Sequence, residues 1–145
     1  ELEKIHLTIN EVKGVYETFS DISMDDADIV YFGCPHLSLN EAMEILEYLK
    51  DRKLRRLRVW LTTSRFVISK LMEKGYDVNK LWEKGILLLG DTCPVVAPLS
   101  ILKIRNVITD SAKAAHYLKR VHKANVTLMG RYEILKLLRY QGDRN

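Results

Sequence analysis

Two Cys-Pro steps carry the most reactive chemistry of this 145-residue sequence: Gly33-Cys34-Pro35-His36 and Asp91-Thr92-Cys93-Pro94. Cys34 and Cys93 are its two cysteines, and each follows a short apolar run that reads as a β-strand. Thiolates bind iron well, and a proline after a ligating cysteine shapes the turn while removing one backbone N–H. Two thiolates fall short of the roughly three or four protein ligands that close an iron–sulfur or zinc site. A metal held by this pair therefore needs donors from outside the chain. The alternative is a pair of buried, inert thiols, since free cysteine is among the most buried residue types. The interval between Cys34 and Cys93 is far too long for a Cys-x-x-Cys knuckle, so any shared site is built by the fold.

Two further segments offer anion chemistry. Thr62-Thr63-Ser64-Arg65 combines hydroxyls, free backbone N–H groups at a helix start and a guanidinium, a receptor suited to carboxylate or phosphate. An ordinary helix cap with a surface arginine explains it equally well. Thr109-Asp110-Ser111-Ala112-Lys113 repeats the pattern with Ser111 and Lys113. Among the histidines, His36 lies two residues after Cys34 and could ligate, donate a hydrogen bond or pack. His116 lies one helical turn beyond Lys113 and, with Asp91, is a candidate for a place behind the metal ligands. His6 and His122 read as structural or solvated. There is no Ser-His-Asp order, nucleophile elbow, GxGxxG or P-loop, which weighs against hydrolase, dinucleotide and ATP chemistry.

The elements that must position these segments alternate between strand and helix. A first strand is expected around Ile5 to Ile9, followed by a helix capped by Asn10 with Val12, Val15, Tyr16 and Phe19 on one stripe. Asp28 to Phe32 reads as a buried strand ending at the first Cys loop. Ser38 with Glu41 forms a capping box ahead of a helix carrying Ala42, Met43, Leu46 and Leu49. Leu57 to Leu61 makes a strand leading to Thr62-Thr63-Ser64-Arg65, then a helix from Phe66 to Lys74 that stops at Gly75. Asp77 caps a short helix, Val78 to Lys84, that stops at Gly85. Strands follow at Ile86 to Leu89, Asn106 to Thr109 and Asn125 to Met129, with helices through Ala114 to Leu118 and Arg131 to Tyr140. This rhythm predicts an α/β fold, a mainly parallel sheet with helices on both faces, formed by residues 1–145 as one domain. The four polar segments then gather at the carboxyl edge of the sheet, where open α/β sheets bind ligands.

Composition narrows the class further. With 47% hydrophobic and 29% charged residues the chain is globular, and its longest aliphatic run, Ile86 to Leu89, is far below the roughly 20 residues that span a bilayer. No signal-peptide pattern opens the sequence, a cytoplasmic location is expected, and the absent initiator Met suggests a piece of a longer protein. The net charge is +4, and the densest basic stretch, Lys50 to Arg58, lies between a helix end and a strand start. Without interleaved aromatic residues to stack on bases it reads as a solvated turn, not a nucleic-acid patch.

The string Gly33-Cys34-Pro35-His36-Leu37-Ser38-Leu39 with Glu41, then Trp60 to Arg65, Gly90 to Val96 and Thr109 to Tyr117, resembles the aconitase X family. The four segments stand in that family's order, and the resemblance runs from about Asp28 to the C-terminus, the last third of a large catalytic subunit. It implies an aconitase-like α/β domain of a hydro-lyase. Archaeal members dehydrate 5-phosphomevalonate to trans-anhydromevalonate 5-phosphate in a mevalonate pathway, and bacterial relatives dehydrate cis-3-hydroxyproline. It implies that Cys34 and Cys93 are two of three cysteine ligands of an iron–sulfur cluster (4Fe-4S) or a mononuclear iron, with the third upstream. Thr63, Ser64 and Arg65 match one substrate-binding loop, and Ser111 with Lys113 a second, for a small anionic substrate. The catalytic base is implied to be a Ser of a small swivelling subunit. The partners so implied are that subunit and the rest of the large one, with no nucleic acid or membrane, and the isolated piece is expected to be inactive. A metal-free ligand-binding or assembly domain with the same fold is the rival from another class.

Overall fold

The computed structural model describes residues 4–52, 54 and 57–141. Along β1 (Ile29–Leu37) the period-two alternation of a strand sends Val30 and Phe32 into one apolar layer and Ile29 and Tyr31 into another. Strand β2 (Arg58–Thr63) repeats this, with Val59 and Leu61 in the first layer and Trp60 in the second. Strands β3 (Ile86–Gly90), β4 (Asn106–Thr109) and β5 (Asn125–Leu128) complete a sheet of order β3-β2-β1-β4-β5. Every pairing is parallel. Apolar residues on both faces are what such a sheet demands, because each face must be covered.

Helices supply the cover. Ala42, Ile45, Leu46 and Leu49 of α2 (Leu39–Leu49) join Leu71 of α3 (Arg65–Glu73), Leu81 of α4 (Val78–Glu83) and Ile134, Leu135 and Leu138 of α6 (Arg131–Gln141) in the first layer. Ala114, Ala115 and Leu118 of α5 (Ala112–His122) lie in the second. So do Val95, Ala97, Leu99 and Ile104 of the β3–β4 connection, which crosses that face of the sheet. Strands β2 and β3 extend from one side of β1, and β4 and β5 from the other. The winding therefore reverses between β1 and β4, with α2 and α5 on opposite faces, and a crevice opens there at the carboxyl ends of the strands.

The N-terminal region differs from the sequence expectation. No strand forms around Ile5 to Ile9: residues 4–8 are irregular, and a helix, α1 (Ile9–Thr18), begins there. Its cap is Thr8, not Asn10, in a capping box with Glu11, whose carboxylate accepts from the Thr8 N–H at 2.6 Å. Ile5, Leu7 and Ile9 alternate as a half-buried strand would, yet they are exposed and join no sheet edge. Val12, Val15 and Tyr16 do share a helical stripe, but it faces outward, and only Phe19, just beyond the helix, packs on the core. The remaining expected helices and strands form within a few residues of their predicted bounds. Of the basic stretch, Lys53, Arg55 and Arg56 lie outside the described residues; Lys50 pairs with Glu47 at 3.1 Å, and Arg58 stands over the Trp82 ring. Among the described residues no helix is long and apolar enough to cross a membrane.

Candidate functional site

The Cys34 segment is a bulge within β1, not a loop after it. Phe32 pairs with Leu61 and Leu37 with Thr63, so Gly33-Cys34-Pro35-His36 is extruded from the ladder between them. Such a bulge re-aims side chains at a sheet rim. Gly33 is required at its base: φ is +116°, and a Cβ there would lie 2.3 Å from the Thr62 carbonyl oxygen. Two hydroxyls replace the lost ladder bonds at this point. Tyr31 donates to the Gly33 carbonyl at 3.0 Å and Thr62 donates to the same oxygen at 2.7 Å. Burial pushes the Tyr31 phenol far above its ordinary value, with smaller upward contributions from Cys34, Cys93 and Asp110. Tyr31 thus stays a neutral donor to the bulge.

The Cys93 segment follows β3. Its Asp91 N–H donates to the Thr63 carbonyl at 2.9 Å, and Asp91 adopts φ +54°. The Asp91 carboxylate sits at the start of α3, accepting from the Arg65 backbone N–H at 3.1 Å and pairing with Arg65 Nε at 3.0 Å. The next residue meets the first segment: His36 Nε2 is 3.0 Å from the Thr92 carbonyl. A carbonyl only accepts, so Nε2 carries the proton. Cys34 and Cys93 are both half-buried, both unpaired, and packed against the same apolar layer of the sheet.

A third segment closes the crevice between β1 and β4. Ser111 caps α5, accepting from the Ala114 N–H at 3.1 Å while donating to the Cys34 carbonyl at 2.6 Å. Beside it Arg131, the first residue of α6, donates from Nε to Asp110 at 2.7 Å and from Nη1 to Glu41 at 3.2 Å. Glu41 in turn accepts from the N–H and hydroxyl of Ser38. Gly33, Cys34, His36, Asp110, Ser111 and Arg131 line a cleft of about 320 Å³ at this switch point.

The sequence-predicted residues fare differently within this frame. Cys34, His36 and Ser111 line the cleft; Cys93 and Asp91 do not, and their segment is joined to it by the His36–Thr92 hydrogen bond. Thr63 is buried, and its hydroxyl donates to the Leu37 carbonyl at 2.5 Å, so it fastens the end of the bulge. Ser64 caps α3 through the Val67 N–H. Arg65 is exposed on the far side of β2 and faces Asp91. Lys113 is exposed and without an ion pair among the described residues. His116 is exposed on α5, edge-on to Tyr117 at 5.4 Å, with no hydrogen bond to the cysteine segments. His122 donates to the Val95 carbonyl at 2.7 Å and His6 is exposed. Tyr31 and Arg131 were not anticipated, since a strand aromatic reads as core and Arg131 as a helix start; Thr62, expected in an anion-binding loop, instead lies within β2 with its hydroxyl on the Gly33 carbonyl. Glu41 was legible only as a cap.

Cys34 and Cys93 are the residues that could contribute to a metal site. Two soft thiols on one edge and one face suit iron, whereas among the described residues no group of three or more His, Cys, Asp or Glu side chains could hold a metal. The two thiols alone do not close a metal site.

Comparison with known proteins agrees with this arrangement. The family model for the aconitase X third domain matches residues 27–138. The chain is 36% identical over 136 residues to the phosphomevalonate dehydratase large subunit of Methanocaldococcus jannaschii, covering 93% of the chain and 33% of that protein. The protein of the same name from Thermococcus kodakarensis is 34% identical over 120 residues, 81% of the chain and 30% of its own length. A cis-3-hydroxy-L-proline dehydratase of Hypocrea jecorina is 27% identical over 124 residues, 80% of the chain and 20% of its length. The crystal structure of Thermococcus kodakaraensis aconitase X, in its holo form, superposes with a TM-score of 0.80 at 31% identity over 94% of the chain and 34% of that one. The chain thus spans about a third of the length of its archaeal relatives. Its doubly wound parallel sheet agrees with these matches, and the chain belongs to the aconitase X family, residues 27–138 matching the third domain.

Proposed function

We propose that this chain is the third domain of the large subunit of a hydro-lyase that dehydrates 5-phosphomevalonate to trans-anhydromevalonate 5-phosphate in the cytoplasm. The remainder of the large subunit and a small subunit complete the enzyme. The observation that carries the proposal is the pair of Cys-Pro segments brought to one face of one sheet edge and joined by the His36–Thr92 hydrogen bond. The archaeal relatives support the substrate, since they are named phosphomevalonate dehydratase large subunits at 34–38% identity.

In this reading Cys34 and Cys93 hold an iron–sulfur cluster or a single iron, with a third cysteine from the rest of the large subunit. Iron bound there supplies Lewis acidity toward the leaving hydroxyl. The chain's own residues orient and anchor. Tyr31, Thr62 and Ser111 hold the main chain of the Cys34 bulge by its carbonyls. Arg65 and Lys113, at the starts of α3 and α5, present cations and helix N-termini toward the substrate's carboxylate and phosphate. Asp91 holds Arg65 at that position until an anion competes for it. No base is assigned to this chain. Dehydration of cis-3-hydroxyproline is the second reading, favoured by the Hypocrea jecorina relative.

The test is anaerobic co-expression of the chain with the rest of the large subunit and the small subunit, followed by iron analysis and assay of both substrates. Bound iron that falls in Cys34→Ser and Cys93→Ser, with turnover of 5-phosphomevalonate, is the expected result. Iron unchanged in both variants overturns the ligand assignment, and turnover of hydroxyproline alone overturns the substrate.

A further inference from the structure

The Cys34 bulge lacks the support that strand residues normally have. It lies outside the β1–β2 ladder, Pro35 offers no N–H, and Gly33 has a left-handed φ. Its position is set by side chains acting on main-chain carbonyls. Tyr31, Thr62 and Ser111 fasten it to the sheet and to α5. Among the described residues one hydrogen bond joins it to the segment of the other cysteine: His36 Nε2 to the Thr92 carbonyl, at 3.0 Å. His36 is exposed, and so is the bond. Water could satisfy the Thr92 carbonyl equally well there, so burial does not require this contact. What it adds is a link between residue 36, two after one cysteine, and residue 92, one before the other.

We propose that His36 is a positioning residue that sets the Cys34 thiol against the Cys93 thiol by donating to the Thr92 carbonyl. This rests on the reading that the two thiols serve one centre. Outer partners that orient metal ligands in this way matter about 10- to 100-fold in metal affinity.

A probe independent of iron and of turnover tests it. Phenylarsine oxide joins two neighbouring thiols: two As–S bonds form, the oxygen leaves as water with the two thiol protons, and arsenic stays trivalent. The reduced 145-residue chain is titrated with phenylarsine oxide under anaerobic conditions, as wild type, His36→Leu and His36→Gln, with bridging read by intact mass and by loss of both free thiols. The expected result is a 1:1 bridged adduct in the wild type, affinity about tenfold weaker in His36→Leu with an unchanged melting temperature, and recovery in His36→Gln, whose amide restores a donor. Equal affinity in His36→Leu, a loss that His36→Gln does not restore, or a loss accompanied by a fall in melting temperature each overturns the positioning role. No bridged adduct in the wild type overturns the shared-centre reading itself.

Discussion

Arg131 Nε meets Asp110 Oδ2 at 2.7 Å, and the Asp110 side chain is only 8% exposed. The same guanidinium reaches Glu41, so one arginine ties the loop after β4 to the start of α2 behind the Cys34 bulge. Arg131→Ala leaves the largely buried Asp110 carboxylate without its cation, which is expected to cost about 2 kcal/mol of stability. Adding Asp110→Asn removes the stranded charge and is expected to recover about 1 kcal/mol, measured by urea unfolding of both variants. A double variant no more stable than Arg131→Ala would show that the pair is not coupled.

Two glycine-to-alanine replacements should move stability in opposite directions. At Gly33 the new Cβ falls 2.3 Å from the Thr62 carbonyl, and the backbone has φ +116°, so Gly33→Ala is expected to cost about 3 kcal/mol. At Gly14, inside α1, a Cβ meets nothing within 4 Å, and Gly14→Ala is expected to add about 0.5–1 kcal/mol through helix propensity. Thermal and chemical unfolding of the two variants side by side checks both signs.

Acid should weaken the fold at two identifiable carboxylates. Hydrogen bonds from the Ser38 N–H and hydroxyl, joined by Arg131, hold the Glu41 carboxyl below its ordinary 4.5. Lys119 and the Val126 N–H hold Asp21 below its ordinary 3.8. In both cases the unfolded chain binds the proton more readily, so the stabilisation is fully present above those ordinary values. It is lost as pH falls below them through the depressed native values. Urea midpoints measured between pH 7 and pH 3 should drop in that window. The slope should be shallower in Glu41→Gln, and a wild-type midpoint independent of pH there would contradict the assignment.

The exposed Arg65 should matter to substrate more than to the fold. Its pair with Asp91 is open to solvent, so Arg65→Ala is expected to shift stability by no more than about 0.5 kcal/mol. In the assembled enzyme, loss of one charge-assisted contact to an anion is expected to raise KM about tenfold with a smaller change in kcat. Unchanged steady-state kinetics would remove Arg65 from the binding site.

Much of this protein is written in short-range chemistry. Alternating apolar runs, the Ser38–Glu41 capping box and the caps at Ser64, Asp77 and Ser111 specify strands and helices within a few residues of themselves. The α/β class and the gathering of four polar segments at one edge follow from them. Ile5 to Ile9 misled because alternation marks a strand only where a sheet edge stands ready to pair with it. The strand order, the extrusion of Cys34 as a bulge, the inward turn of the Thr63 hydroxyl and the Arg131 network were decided by the tertiary structure alone. These depend on partners such as Ser111 with Cys34 and Arg131 with Glu41, which lie 77 and 90 positions apart. Local propensity acts over a turn or a strand, whereas a site at a topological switch point exists only after packing has brought distant loops together.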